Sequence, residues 1–170
     1  MSIRHCLYAL SLPCIAFVLA ACAKSPAMTT AAVVASAPAP TGAPQALPTV
    51  LVHKSPTCGC CGLWVEHLRQ AGFAVQIDDR EDVNPVKQRL GVPYGKGSCH
   101  TAEVGGYFVE GHVPAGDIKR LLAERPDAKG LALPGMPAGS PGMELPDGTS
   151  PPYTVELVER DGRTRPFARH

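Results

Sequence analysis

Three thiols within four residues, Cys58-Gly59-Cys60-Cys61, lie between an apolar run and a helical pattern, and this junction constrains the chain more than any other stretch. Upstream, Thr49-Val50-Leu51-Val52-His53 has the length and branching of a buried strand, which Pro56 ends. Downstream, Cys61, Trp64, Val65 and Leu68 recur at i, i+3, i+4 and i+7, which predicts a helix from Gly59 to Ala71 closed by Gly72. The thiols therefore stand at a helix start, where backbone N–H groups favour negative charge and thiols lose protons more easily. Cys58 and Cys61 share a helical face, with Cys61 opening the buried stripe and Cys58 one turn earlier at the solvent-facing end. Cys60 points about 100° away from Cys61 around the helix. Two thiols at this spacing suit redox exchange, and a third suits a soft metal.

The remaining order extends that junction into a sheet. Phe73, Val75 and Ile77 alternate with polar neighbours as a second strand, and Asn84-Pro85 reads as an N-cap with Pro at the first helical position, closed by Gly91. Gly95 to Ser98 is read as a loop delivering Cys99-His100, followed by a strand over 106–110, a turn at Gly111-His112, and a helix carrying Ile118, Leu121 and Leu122 up to Pro126. Residues 127–152, with Pro134-Gly135-Met136 and Pro141-Gly142-Met143, read as a loop that is neither helix nor central strand. Tyr153, Val155 and Leu157 then alternate, and Asp161-Gly162 turns a hairpin back through Arg163 to Ala168. The order β-α-β-α-β with thiols at the first helix start resembles the thioredoxin-like α/β architecture in its small glutaredoxin form. Where that architecture places a cis-proline opposite the dithiol, this chain has Glu103-Val104, with Cys99-His100 just upstream.

The N-terminus indicates the compartment. Arg4-His5 precede an apolar run from Cys6 to Ala21 that is short for a membrane span and ends in Leu19-Ala20-Ala21-Cys22. This resembles a bacterial lipoprotein signal, with residues 1–21 removed and Cys22 acylated to give an anchor; an ordinary cleaved signal is the alternative. Residues 22–48, rich in Ala, Pro and Thr, then form a disordered tether, and residues 49–170 form the domain. Ala23 and Lys24 resemble the sorting signal for the outer membrane, so the expected location is periplasmic and lipid-anchored. Of seven cysteines, Cys6 and Cys14 leave with the signal and Cys22 carries lipid, which leaves Cys58, Cys60, Cys61 and Cys99. Three of those four nearly adjacent make a poor structural disulfide framework, even in an oxidising compartment. A formal charge of +1 gives no electrostatic case for nucleic acid. No phosphate loop, His-Glu-x-x-His or Gly-x-Ser-x-Gly is present, so nucleotide and hydrolytic chemistry lack their groups.

Further donors lie downstream. Cys99-His100 is a thiol and an imidazole in a Gly-bounded loop, to be weighed against a buried Cys beside a surface His. His112 sits on a turn, where a plain surface role is the alternative. Met136 and Met143 repeat in the same Pro-Gly-Met setting. Either they pack the loop onto the body, or their thioethers serve as soft ligands suited to Cu(I). His53 is assigned to a strand end, His67 to an exposed helix face and Trp64 to the core, with no role in the site.

Four blocks, Lys54-Ser55-Pro56-Thr57-Cys58-Gly59-Cys60-Cys61-Gly62, Ser98-Cys99-His100-Thr101-Ala102, Glu110-Gly111-His112-Val113-Pro114 and Gly130-Leu131-Ala132-Leu133-Pro134-Gly135-Met136-Pro137, resemble the CopG-like copper-resistance proteins from about Val50 to the C-terminus. The resemblance implies a thioredoxin-like fold, a periplasmic setting, and copper held by Cys with His and Met. It transfers ligand roles to Cys58, Cys60, Cys61, Cys99, His100, His112, Met136 and Met143. His53 stands where Tyr is expected in that family. The resulting expectation is an envelope copper-binding protein for resistance or handling, holding Cu(I) or Cu(II), with multinuclear binding and redox cycling open to it. A copper exporter or another envelope copper protein is the expected partner. The alternatives are a thiol–disulfide oxidoreductase using Cys58 and Cys61, and a structural zinc site of Cys₃His type.

Overall fold

A computed structural model describes residues 46–170. The expected signal segment, Cys22 and nearly all of the tether lie outside the described residues. The elements are β1 (Val50–Lys54), α1 (Gly59–Gln70), β2 (Val75–Asp79), α2 (Asn84–Leu90), β3 (His100–Val104), β4 (Tyr107–Glu110), α3 (Ala115–Glu124), β5 (Ala128–Ala132), β6 (Thr154–Glu159) and β7 (Thr164–Arg169). The strands form one seven-stranded sheet in the order β2-β1-β3-β4-β5-β6-β7. β1 pairs with β2 in parallel and with β3 antiparallel, β3 with β4 antiparallel, and β4 with β5 in parallel; β5, β6 and β7 continue antiparallel.

Alternation along the strands assigns the two faces. Val50, Val52, Val109, Leu131 and Leu157 pack with Trp64, Val65 and Leu68 of α1 and with Ile118 and Leu121 of α3 in one core. Their neighbours Phe108, Ala132 and Val158 face the other way and meet Leu90 and Val92, at and after the end of α2. Each fully buried side chain of this size contributes roughly 1.5–3 kcal/mol, so the large core holds α1 against the sheet and fixes where its first turn points. Trp64 is core, as expected, and its indole N–H donates to the Val113 carbonyl at 2.9 Å. None of the helices among the described residues is long and apolar enough to cross a membrane.

Two strands lie where the sequence reads as loop. His100 begins β3, so Cys99-His100 sits at a strand start, and the third strand of the sequence reading is the second arm of a hairpin turned at Gly105-Gly106. The stretch from Ala128 is a further correction. Ala128-Lys129-Gly130-Leu131-Ala132 has little β-branching, yet as β5 it lies between β4 and β6. Gly130 shows why: a Cβ there would stand 2.0 Å from the Phe108 carbonyl oxygen, so only a residue without a side chain lets β5 close on β4. Tertiary pairing overrides a weak local preference here. From Leu133 to Tyr153 the chain has neither helix nor strand, and the hairpin at Asp161-Gly162 forms where its turn signal stands.

Smaller differences concern caps and histidines. α2 begins one residue earlier than its cap signal suggests; the Asn84 N–H is satisfied by Asp82 Oδ1 at 2.9 Å, not by an Asn84 side-chain cap. His67 is partly buried rather than exposed, and its Nε2 accepts the first N–H of α3, that of Ala115, at 3.0 Å. His53 is 3% exposed and clamps the sheet edge, with Nδ1 2.7 Å from Asp78 Oδ2 on β2 and Nε2 3.0 Å from Glu103 Oε1 on β3.

Candidate metal centre

The sheet topology gathers the chemistry at one end. β1 ends at Lys54 opposite His100, the start of antiparallel β3. β4 ends at Glu110 opposite Thr101, and parallel β5 ends at Ala132 opposite Glu110. The turn into α1, the Cys99 segment, the Gly111-His112 turn and the segment leaving β5 therefore share one sheet edge, although they are far apart in sequence.

Cys58 is the N-cap residue of α1, and that helix has no acidic residue in its first turn, so its positive end faces the thiols uncompensated. Cys58 and Cys61 form a disulfide, while Cys60 and Cys99 are free thiols. Cys58 is partly exposed and Cys61 fully buried, which is the outward and inward disposition that the helical stripe predicts. The two free sulfurs flank the bond: Cys60 Sγ lies 3.6 Å from Cys58 Sγ, and Cys99 Sγ 3.4 Å from Cys61 Sγ. Cys61 has no thiol proton in the disulfide, so this contact is a close sulfur–sulfur approach in which Cys61 donates nothing.

Cys99 also meets both imidazoles. Its sulfur is 3.4 Å from His112 Nε2 and 3.7 Å from His100 Nδ1. The tautomers follow from the opposite nitrogens. His100 Nε2 faces the Gly111 carbonyl at 3.1 Å and His112 Nδ1 faces the Pro141 carbonyl at 2.8 Å. A carbonyl only accepts, so each of those nitrogens carries the proton, and the lone pairs of His100 Nδ1 and His112 Nε2 point at the Cys99 sulfur. The ligand atoms of Cys58, Cys60, Cys61 and Cys99 lie within 4.8 Å of one another, as do those of Cys99, His100 and His112. Cys99 belongs to both groups.

Burial sets the protonation states. It pushes the Cys99 thiol up to about 11, helped by Cys60 beside it. It brings His100 down to about 3, with His112 and Lys87 adding repulsion. Burial lowers His112 as well, against an opposing pull from the Pro141 carbonyl and Glu144. The imidazoles are thus neutral donors at pH 7, while Cys99 must release a proton to ligate.

Of the eight ligand candidates read from the sequence, six converge: Cys58, Cys60, Cys61, Cys99, His100 and His112. For the Pro-Gly-Met units it is the backbone that reaches the site. The Pro141 carbonyl orients His112, and Gly142 lies against α1, where a Cβ would stand 2.8 Å from the Cys60 oxygen and 2.9 Å from the Trp64 nitrogen. Met136 is 50% exposed and Met143 partly buried.

The sequence reading passed over the support beneath Cys99. Glu110, fully buried, accepts hydrogen bonds at Oε1 from the Ser98 N–H (2.5 Å), the Ser98 hydroxyl (2.8 Å) and Lys87 Nζ (2.5 Å), and at Oε2 from Thr101 (2.6 Å). Ser98 immediately precedes Cys99, so this carboxylate pins the segment that presents the shared ligand. A lone acidic residue closing the apolar run Tyr107-Phe108-Val109 was the available signal. Trp64 completes the wall, its ring 4.4 Å from that of His100.

The sequence family described as "Protein of unknown function, DUF411" matches residues 96–143, the span that holds Cys99, His100, His112, Met136 and Met143. Among curated proteins nothing matches. Two solved structures share 48% identity over 73% of this chain and 98% of theirs: "Copper resistance protein copG- Form 1", with a TM-score of 0.68, and "Copper resistance protein copG- Form 2", with 0.69. The chain belongs to the CopG-like copper-resistance family.

Proposed function

We propose that this protein handles copper in the bacterial envelope, holding it chiefly as Cu(I) among Cys58, Cys60, Cys61, Cys99, His100 and His112. The observation that carries the reading is the meeting of two donor groups at one sulfur, Cys99. Thiolates favour soft cuprous copper, imidazoles accept both oxidation states, and thiolates bridge ions, so a multinuclear centre follows from this donor set. The disulfide sets how much of it is available. With Cys58 joined to Cys61, two thiols and two imidazoles remain; reduction restores four thiols. Copper loading and thiol redox state are therefore coupled in this reading, which is the sense in which redox cycling enters. Met136 and Met143 act from the segment after β5 as outer thioether donors.

The order β2-β1-β3-β4, with β1 and β2 parallel and a dithiol at the start of α1, supports a thioredoxin-like assignment for this half of the sheet. Residues 1–21 serve as a lipoprotein signal, and Cys22 anchors the domain through a tether to the outer membrane, facing the periplasm. There a copper exporter or another envelope copper protein exchanges metal with it. Incorporation of labelled fatty acid that is lost in Cys22→Ala tests the anchor.

Anaerobic titration of the reduced protein with Cu(I) against a strong competing chelator tests the central reading. Tight binding is expected, and the triple variant Cys58→Ser, Cys60→Ser, Cys61→Ser should lose it. Equal binding by the two proteins would overturn the proposal. Unfolding that follows zinc removal, with no preference for copper, would replace it with a structural zinc site. A second reading has its own observation: the Cys58–Cys61 disulfide with Cys58 outermost is the arrangement of a thiol–disulfide oxidoreductase. Turnover on a disulfide substrate without metal would favour it.

A further inference from the structure

The four site sulfurs form one compact cluster, all within 4.8 Å of one another, in which Cys58 is bonded to Cys61 and Cys60 and Cys99 are free. A free thiol stands next to each end of the bond, at 3.6 Å on the outer side and 3.4 Å on the inner. The two ends are not equivalent. Cys60 and Cys58 are two residues apart in one turn of chain, and a bond between them would close a small ring. Cys99 approaches Cys61 from β3 across 38 positions, and a bond between them would tie helix to sheet without such a ring. Cys99 is also the only one of the four with an imidazole lone pair against its sulfur, at His112 Nε2, while the Pro141 carbonyl holds the other face of that ring.

We propose that Cys99 is an internal resolving thiol that moves the disulfide inward, from Cys58–Cys61 to Cys61–Cys99. The Cys99 sulfur attacks the Cys61 sulfur, the Cys61–Cys58 bond breaks, and the electron pair leaves on Cys58. The proton of Cys99 passes to His112 Nε2 and returns through solvent to the Cys58 sulfur. One disulfide is consumed and one formed, so no external oxidant or reductant takes part. The leaving thiolate is the N-cap residue of α1, where the helix end favours negative charge. The product places two reduced thiols, Cys58 and Cys60, together at the partly exposed end of the site, and the remaining disulfide inside. An oxidised site thus presents an outward dithiol for a soft metal ion or for a partner's disulfide. This activity rests on the dithiol reading of Cys58 and Cys61 and not on copper.

The test uses the metal-free full chain in excess chelator, oxidised to the single site disulfide, acid-quenched after increasing times at pH 8, alkylated and mapped peptide by peptide so that Cys6, Cys14 and Cys22 are read separately. Migration predicts alkylation of Cys58, with a matching fall at Cys99 and a cross-linked Cys61–Cys99 peptide. In Cys99→Ser, alkylation of Cys58 should drop at least tenfold. His112→Gln should slow the approach to the same final ratio. Cys58→Ser, oxidised alone, should yield Cys61–Cys99 and leave Cys60 free, and its near-ultraviolet dichroism checks that it is folded. Cys58 alkylation in oxidised wild type no greater than in Cys99→Ser, or a Cys58→Ser protein that joins Cys60 instead of Cys61 to Cys99, would overturn the proposal. Copper titration of the same preparations, reduced, reports the copper reading separately, since no metal is present in the exchange assay.

Discussion

Glu110→Gln tests how the sheet positions the centre. The carboxylate is fully buried, and among the described residues it is the only anion hydrogen-bonded to Lys87, whose side chain is 11% exposed. Gln keeps the shape and removes the charge. Breaking a buried pair at one partner costs about 3–5 kcal/mol, and the slight exposure of Lys87 lets its ammonium relax towards water, which puts this loss near ~3 kcal/mol. A second loss comes from the hydrogen bonds. Three donors converge on Oε1, so the Gln amide nitrogen must take the Thr101 side. The Thr101 hydroxyl then accepts from both that amide and Lys87, and its own O–H loses its acceptor, worth about 1 kcal/mol. The sum is about 4 kcal/mol, a large share of the ~5–15 kcal/mol that holds a domain together. In urea, with a slope of about 2 kcal/mol per molar, the midpoint should fall by roughly 2 M. The double variant Glu110→Gln, Lys87→Met removes the stranded charge and should recover at least half of the loss. Its double-mutant cycle should then give a coupling above ~2 kcal/mol. A single-variant loss under ~1 kcal/mol, or two losses that simply add, would refute the claim that this pair pins the Ser98-Cys99 segment.

Two further outcomes follow from the geometry. In metal-free protein, burial lowers His100 to about 3 and also lowers His112 and His67. The unfolded chain therefore binds more protons below its ordinary histidine value of ~6.5, and this part of the stability is full above that pH and declines as pH falls towards the folded values, at up to ~1.4 kcal/mol per pH unit for each proton. Urea unfolding should be markedly easier at pH 5 than at pH 7.5, with a shallower dependence in His67→Gln, and a flat profile would contradict buried neutral imidazoles. Gly142→Ala should cost about 1–3 kcal/mol from its φ of +83° and its contact with α1, and should also weaken Cu(I) binding by withdrawing the Pro141 carbonyl from His112. Gly148→Ala, at a similar φ of +72° in open space, should leave copper binding unchanged, and equal copper affinity in both variants would remove Pro141-Gly142 from the site.

The contrast between Gly142 and Met143 shows how far the Pro-Gly-Met units could be read in advance. A sequence displays side-chain chemistry, so the thioether draws attention. The close approach of Gly142 to Cys60 and the carbonyl held against His112 are backbone relations that no residue type announces. Glu110 was hidden for a related reason. A carboxylate at the end of an apolar strand becomes informative only once Lys87 from α2, Thr101 from β3 and Ser98 are seen around it.

The local pattern at Cys58-Gly59-Cys60-Cys61 did determine much by itself. A branched apolar run, a proline stop and a 3.6-residue stripe are short-range signals, and they fixed the strand, the helix, the burial of Cys61 and the outward place of Cys58. Spacing also brought out the three clustered thiols, and residue chemistry with the family resemblance brought out the other candidate donors. The tertiary structure decided the rest, because it depends on pairing between distant segments. Strand order puts the ends of β1, β4 and β5 and the start of β3 at one edge. The glycine at 130 lets a weakly branched segment become an interior strand. Carbonyls from Gly111 and Pro141 choose which nitrogen each imidazole offers. That last choice makes Cys99 the common member of both donor groups, and no reading along the chain could have made it.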